Sequence, residues 1–252
     1  MALLCQLAAM AQEQADTAAV NVEYLMNTDS LPSATGHLLD VPHSGLFYAD
    51  DGTIYSLDRA KSPRIGKFRF KDRIPFEQMA VSDGKFLVKS YQYVLQIDST
   101  QTRIVTEMDT QAFAIFAGSG GRYHVVAAEA DSLFAWYQCN ITTAEMECIV
   151  RQKEPIQLIL DIGGTAFCIT GKDIYYVTDT NMDKLLTADD IITSAIYTPQ
   201  GLFYCTQNGL FLMDNEGNTA TLSDDAYHSL YYDNGTVYLV MQNGAILKMD
   251  LR

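Results

Sequence analysis

The feature that most limits what this chain can fold into is a short phrase that returns along its length. Its clearest copy is Gly201-Leu202-Phe203-Tyr204-Cys205-Thr206, then Gln207-Asn208-Gly209, then Leu210-Phe211-Leu212-Met213-Asp214. Two apolar runs separated by Asn-Gly read as a hairpin, because that dipeptide tolerates the backbone of a tight turn. The phrase also starts at Gly45 and Gly84, more loosely at Gly121 and Gly164, and closely again at Gly235, at intervals of 34 to 43 residues. A strand-built period near 40 is the mark of a β-propeller, in which each repeat forms one blade of about four strands. Six such repeats use nearly all of the 252 residues. The expected fold class is therefore all-β, a six-bladed β-propeller over residues 21–252.

The fifth repeat sets the expected blade: an inner strand over Ile192–Tyr197, a turn at Thr198-Pro199-Gln200, two strands over Gly201–Thr206 and Leu210–Met213, and an outer strand over Thr219–Leu222. The middle strands are continuous apolar runs, as expected for a sheet covered on both faces, whereas Arg103-Ile104-Val105-Thr106-Glu107 alternates like an outer strand with one wet face. The last repeat stops at Lys248-Met249-Asp250-Leu251 without an outer strand, while Asn21-Val22-Glu23-Tyr24-Leu25-Met26 stands alone ahead of the first. Each supplies what the other lacks. An N-terminal strand on the vacant edge closes the last blade and protects a sheet edge.

The strand rhythm, with Leu46-Phe47-Tyr48-Ala49-Asp50 and Leu202-Phe203-Tyr204-Cys205-Thr206 as its best examples, resembles the six-bladed propellers of the NHL, YWTD and senescence-marker-like lactonase group. The chain lacks the tryptophan of the YWTD pattern, a kelch glycine pair with its partner aromatics in each repeat, and sialidase-type aspartate boxes. Resemblance to the lactonase-like members implies a calcium ion on the propeller axis, held by carboxylate and amide oxygens and used in hydrolysis.

Counting back seven or eight residues from each leading glycine selects one position per inner strand: His37, Glu77, Phe113, Gln157, Ser194 and His228. Inner strands line the central channel, so these positions are expected to meet at one mouth. His37, Glu77, Gln157, Ser194 and His228 are the candidate ligand-binding residues. Polar strand ends at a wet mouth explain the same pattern, and one carboxylate is few for calcium, which takes six to eight oxygen ligands. The sequence assigns no catalytic residue: it has no Gly-x-Ser-x-Gly elbow, and no helix follows Gly118-Ser119-Gly120-Gly121 to make a phosphate cradle. The expected function is a non-catalytic binding or scaffold module recognising a protein or small ligand, with no cofactor. The alternative is a calcium-dependent hydrolase.

The net charge of −14 disfavours nucleic acid, whose binding rests on Lys and Arg neutralising phosphates, and disfavours anionic membranes. No 18-residue apolar run is present for membrane insertion. Asp189-Asp190, Asp224-Asp225 and Asp50-Asp51, with Asp72 and Asp109, read first as turn formers that bond their own backbone. Leu3 to Met10 is apolar, and Ala9-Met10-Ala11 fits a signal-cleavage pattern. Residues 1–11 are thus read as a signal remnant and 12–20 as a linker, so a periplasmic or extracellular location is expected; the protein is also expected to be a monomer. In such a compartment Cys139 and Cys148 are close enough in sequence to bridge. Cys168 and Cys205 each lie four residues after a leading glycine, so they are expected at equivalent positions, facing different neighbours and unbonded. His124 is expected between blades or in the core.

Overall fold

A computed structural model describes residues 78–97, 101–178, 181–233 and 235–251 and, ahead of these, five strands. The expected signal remnant and linker, Glu77, His43, Asp51 and Asp72 lie outside the described residues, as does the side chain of His37. The strands in chain order are β1 (Val22–Asn27); β2 to β5 (His37–Leu38, Phe47–Asp50, Thr53–Ser56, Arg64–Lys67); β6 to β9 (Gln78–Ser82, Lys85–Ser90, Tyr93–Ile97, Thr102–Glu107); and β10 to β13 (Phe113–Ala117, Arg122–Ala128, Phe134–Asn140, Met146–Gln152). They continue as β14 to β17 (Leu158–Ile162, Thr165–Thr170, Asp173–Thr178, Asn181–Thr187), β18 to β21 (Ser194–Thr198, Gly201–Thr206, Gly209–Asp214, Thr219–Ser223) and β22 to β24 (Tyr227–Asp233, Thr236–Met241, Ala245–Asp250).

Antiparallel pairing gathers these strands into six four-stranded sheets, five of consecutive strands and one in the order β1-β24-β23-β22. The fold is an all-β propeller. Described side chains show five of the sheets packed face to face as blades, their inner strands β6, β10, β14, β18 and β22 succeeding one another around the axis. The expected count of six is thus corrected to five blades whose packing is described. The sheet β2–β5 has its register described but not its side chains.

Alternation along each strand sends neighbouring residues to opposite faces, and this divides the core into layers between blades. Ala80, Leu87 and Val94 meet Ile115, Tyr123, Val125 and Cys139. On the next face Phe116, Val126 and Trp136 meet Ile159, Cys168 and Val177. Leu160, Phe167 and Ile174 then pack on Ala195, Leu202 and Tyr204, and Ile196, Phe203 and Cys205 pack on Leu230, Val237 and Met249. All six residues of β19 are buried, as a strand between two such layers requires.

β1 does close the last sheet: Val22 lies opposite Met249 and Asn27 opposite Ala245. It also carries the irregularity that marks an outer strand here. In every sheet the outer strand skips one apolar residue against the third strand, namely Ile65, Val105, Ile149, Leu185 and Leu222 in the consecutive sheets and Leu25 in β1. Such a bulge adds the right-handed twist that splays a blade outward.

The turns account for the period and for one error in reading it. Asp83 (φ 49°) and Gly84 (φ 72°) form a two-residue turn with both residues left-handed, the geometry that matches strand twist. Gly201 is different. It is the first residue of β19, beyond a Pro199-Gln200 turn, and a Cβ there would lie 2.2 Å from the Met213 carbonyl oxygen. Aligning blades on glycine therefore shifts the fifth blade by one residue. A one-residue shift changes the face of every side chain, so Cys168 and Cys205 are not equivalent: they point to opposite neighbours. Both are free, as are Cys139 and Cys148, so the bridge considered for the latter pair is absent. Cys148 stands opposite Tyr137, diagonal to Cys139, and diagonal neighbours are typically about 7–8 Å apart, with Cβ atoms somewhat closer.

Candidate functional site

The inner strands begin at one end of the channel, here called the upper mouth. A cavity of ≈ 290 Å³ lies there, lined by residues of β14, β15, β18, β22 and the segment preceding β18. Its polar lining is Gln157, Thr193, Ser194, His228 and Ser229; Leu158, Ile169 and Ile192 supply apolar wall, and buried Tyr231 completes it. Three candidates chosen on one residue per inner strand, Gln157, Ser194 and His228, thus line one cavity. Phe113 is instead buried, with the Lys89 ammonium 4.8 Å from its ring centre. Thr193 and Ser229 are lining residues that the glycine count missed. Correcting the fifth blade by one residue would have selected Thr193.

The groups in this cavity differ in how far they are committed. Gln157 Oε1 accepts from the Gly171 amide at 3.1 Å, which leaves its NH₂ to donate. Ser194 Oγ accepts from the Leu230 amide at 3.1 Å, one blade on. Gln78 does the same for Ile115 at 2.8 Å and Ser82 for Gly118 at 2.9 Å. An inner strand exposes unpaired amides along its channel edge, and side chains of the preceding blade satisfy them. Ser194 therefore has a structural duty and keeps its own O–H for a ligand. Exposed His228 makes no hydrogen bond among the described residues. The arrangement offers several neutral donors and acceptors over an apolar floor and no activated nucleophile.

One carboxylate of each nearby acidic pair bonds within its own turn. Asp190 Oδ1 accepts from the Ile191 amide at 2.7 Å, and Asp225 accepts from Ser223 Oγ at 3.2 Å. Tyr197 stacks on Phe167 of the preceding blade with ring centres 5.6 Å apart, and Tyr227 is buried, so these aromatic groups serve blade packing.

A second polar cluster sits near the opposite, lower end, between the sheets β10–β13 and β14–β17. Asp161 Oδ1 accepts from Ser119 Oγ at 2.8 Å and the Gly164 amide at 3.2 Å; Oδ2 accepts from the Ser119 amide at 3.2 Å. His124 Nε2 is 2.9 Å from the same Oδ2, and the indole N–H of Trp136 donates to His124 Nδ1 at 3.0 Å. An indole can only donate, so Nδ1 carries the lone pair and the proton is on Nε2, directed at Asp161. Burial alone would raise the Asp161 carboxyl; hydrogen bonds from His124 and Ser119 outweigh it and hold the group at about 2, below its ordinary 3.8. Serine, histidine and aspartate meet here in an order useless for nucleophilic attack, because the carboxylate separates the hydroxyl from the imidazole. The cluster joins two blades, and His124 is the interblade residue expected from sequence.

Burial pushes the Cys168 thiol up to about 12 and the Cys205 thiol up to about 11, which leaves neither as a thiolate nucleophile. Among the described residues, no three His, Cys, Asp or Glu side chains group to hold a metal, and no helix is long and apolar enough to cross a membrane.

No family profile matches the chain, and no curated protein matches it in sequence. Solved propellers do match in fold. A catalytically inactive virginiamycin B lyase from Staphylococcus aureus, solved with quinupristin, is 10% identical with a TM-score of 0.61, over 88% of this chain and 83% of that one. The extracellular domain of a protein classed as a one-component system from B. thetaiotaomicron is 10% identical with a TM-score of 0.54, over 92% of this chain. PorZ, an essential surface component of the type-IX secretion system of Porphyromonas gingivalis, is 11% identical with a TM-score of 0.52, over 92% of this chain. The chain spans only 42% and 38% of the latter two. At such identities the likeness establishes the propeller fold and leaves the NHL, YWTD or lactonase assignment unconfirmed.

Proposed function

We propose that this protein is a non-catalytic binding module of an exported propeller, taking a protein or small-molecule ligand at the upper mouth. In this reading β2–β5 is the sixth blade, and β1 seals the ring. The observation that carries the proposal is the convergence of Gln157, Ser194 and His228, from three successive blades, on one cavity. Its chemistry suits recognition: free amide, hydroxyl and imidazole groups above an apolar floor fix orientation, and no group there is activated for chemistry. Two of the fold neighbours are extracellular or surface proteins, which supports export. Calcium-dependent hydrolysis turns on Glu77, outside the described residues.

The test blocks the mouth without touching the core. Gln157 and His228 are exposed, so Gln157→Trp and His228→Trp are expected to fold and fill the cavity. Ligands captured from the exported fraction by the immobilised wild-type chain are expected to be lost by both variants. Equal retention by wild type and both blocked variants would place binding elsewhere and overturn the proposal.

A further inference from the structure

A recess of ≈ 300 Å³ opens beside the interblade cluster, and its lining divides by chemistry. Arg122, Gln138 and Glu147 are polar groups on one wall; Trp136, Ile149, Ala166 and Val177 are apolar; buried His124 and Asp161 form the base. Arg122 and Glu147 face this recess with opposite charge and do not pair among the described residues. The guanidinium is held elsewhere: Arg122 Nη1 donates to Gln138 Oε1 at 3.0 Å and Nε donates to the Ser119 carbonyl at 3.4 Å. That leaves Arg122 Nη2, the Gln138 NH₂ and the Glu147 carboxylate without a partner among the described residues. Asp161 is saturated by four donors and has little to offer a ligand.

Sheet register fixes the spacing. His124, Gln138 and Glu147 stand in one row across β11, β12 and β13, with Arg122 two residues from His124 on the same face. Arg122 and Glu147 thus rise from strands separated by β12 and are offset by two residues along the sheet, roughly 12 Å apart at the backbone for about 4.8 Å per strand and about 3.4 Å per residue. An α-amino acid, with its ammonium and carboxylate on one carbon and a charge-assisted hydrogen bond at each end, spans about 9 Å. A lone anion would meet Glu147, and a lone cation would meet Arg122. At ≈ 300 Å³ the recess is of the size of a small-ligand pocket.

We propose that this recess binds a free α-amino acid with an apolar side chain. Its carboxylate bonds to Arg122 and Gln138, its ammonium to Glu147, and its side chain lies against Trp136, Ile149 and Val177. The site is separate from the upper mouth.

Titration calorimetry of the full chain with L-leucine, leucinamide and 4-methylpentanoate tests this, with valine, methionine and phenylalanine as further probes. Leucine is expected to bind saturably. The amide, lacking the carboxylate, and the acid, lacking the ammonium, are each expected to bind about tenfold more weakly or worse, as for loss of one hydrogen bond to a charged group. Arg122→Gln is expected to weaken leucine binding by about tenfold or more. Glu147→Gln, on an exposed edge and safe for folding, is expected to weaken leucine while binding 4-methylpentanoate at least as well as the wild type does. No saturable binding by any of the four amino acids overturns the proposal. So does equally tight binding of the simple acid, or leucine binding that neither substitution alters.

Discussion

Replacing Asp161 by asparagine keeps the size of a buried side chain and reverses half of its hydrogen-bonding. The carboxylate accepts four hydrogen bonds, three of them from Ser119 and His124 across the blade boundary. Asparagine accepts on one oxygen only, and its NH₂ must face donors. With a folded value of about 2 against 3.8 when free, the carboxyl differs by nearly two units, and at 1.36 kcal/mol per unit the ionised form adds about 2.5 kcal/mol to stability at neutral pH. The folded value is depressed, so this contribution is fully present above 3.8 and is lost as pH falls toward about 2. Unfolding in urea, followed by the fluorescence of Trp136, the only tryptophan, measures it at the interface concerned. Asp161→Asn is expected to be less stable by about 2–4 kcal/mol at pH 7, lowering Tm by about 5–12 °C for a chain of this size. The gap to wild type is expected to narrow below pH 4. A variant as stable as wild type at pH 7, or a gap that ignores pH, would refute the reasoning.

Two further outcomes follow from the packing. Gly201→Ala places a methyl 2.2 Å from the Met213 carbonyl oxygen, so β19 and β20 must separate locally, with an expected loss of about 2–4 kcal/mol in chemical denaturation. Among the four described cysteines, alkylation of the native protein followed by peptide mass mapping is expected to modify Cys148 first. Cys139, Cys168 and Cys205, buried and with thiols pushed to about 12, 12 and 11, are expected to react only on unfolding.

Much of the architecture was legible because it is local. The left-handed turns that close most inner hairpins need glycine, so glycine recurs with the blade and makes the repeat visible. The lone strand at residues 21–26 and the missing last outer strand likewise pointed to the β1–β24 pairing. The fifth blade misled because its inner hairpin turns at Pro199-Gln200, and its glycine answers a close carbonyl instead of a turn. That single shift paired Cys205 with the wrong counterpart and passed over Thr193. Of the Asp161 cluster only the place of His124 was legible. Ser119, His124, Trp136 and Asp161 are brought together by the stacking of two blades, and no sequence period encodes which side chains meet there.

The gathering of inner-strand residues at one mouth depends on a ring sealed by its first strand, and one engineered disulfide tests that seal. Glu23 stands directly opposite Lys248, with Oε2 and Nζ 3.1 Å apart on the protein surface. In Glu23→Cys/Lys248→Cys the thiols are expected to bridge within one chain on mild oxidation, since opposed Cβ atoms lie about 4.5–5.5 Å apart. Closing so long a loop is expected to raise stability by about 2–4 kcal/mol. Peptide mapping that finds the bridge within single chains, with a raised Tm, agrees with the sealed propeller. Thiols that stay free, or that link only between chains, contradict it.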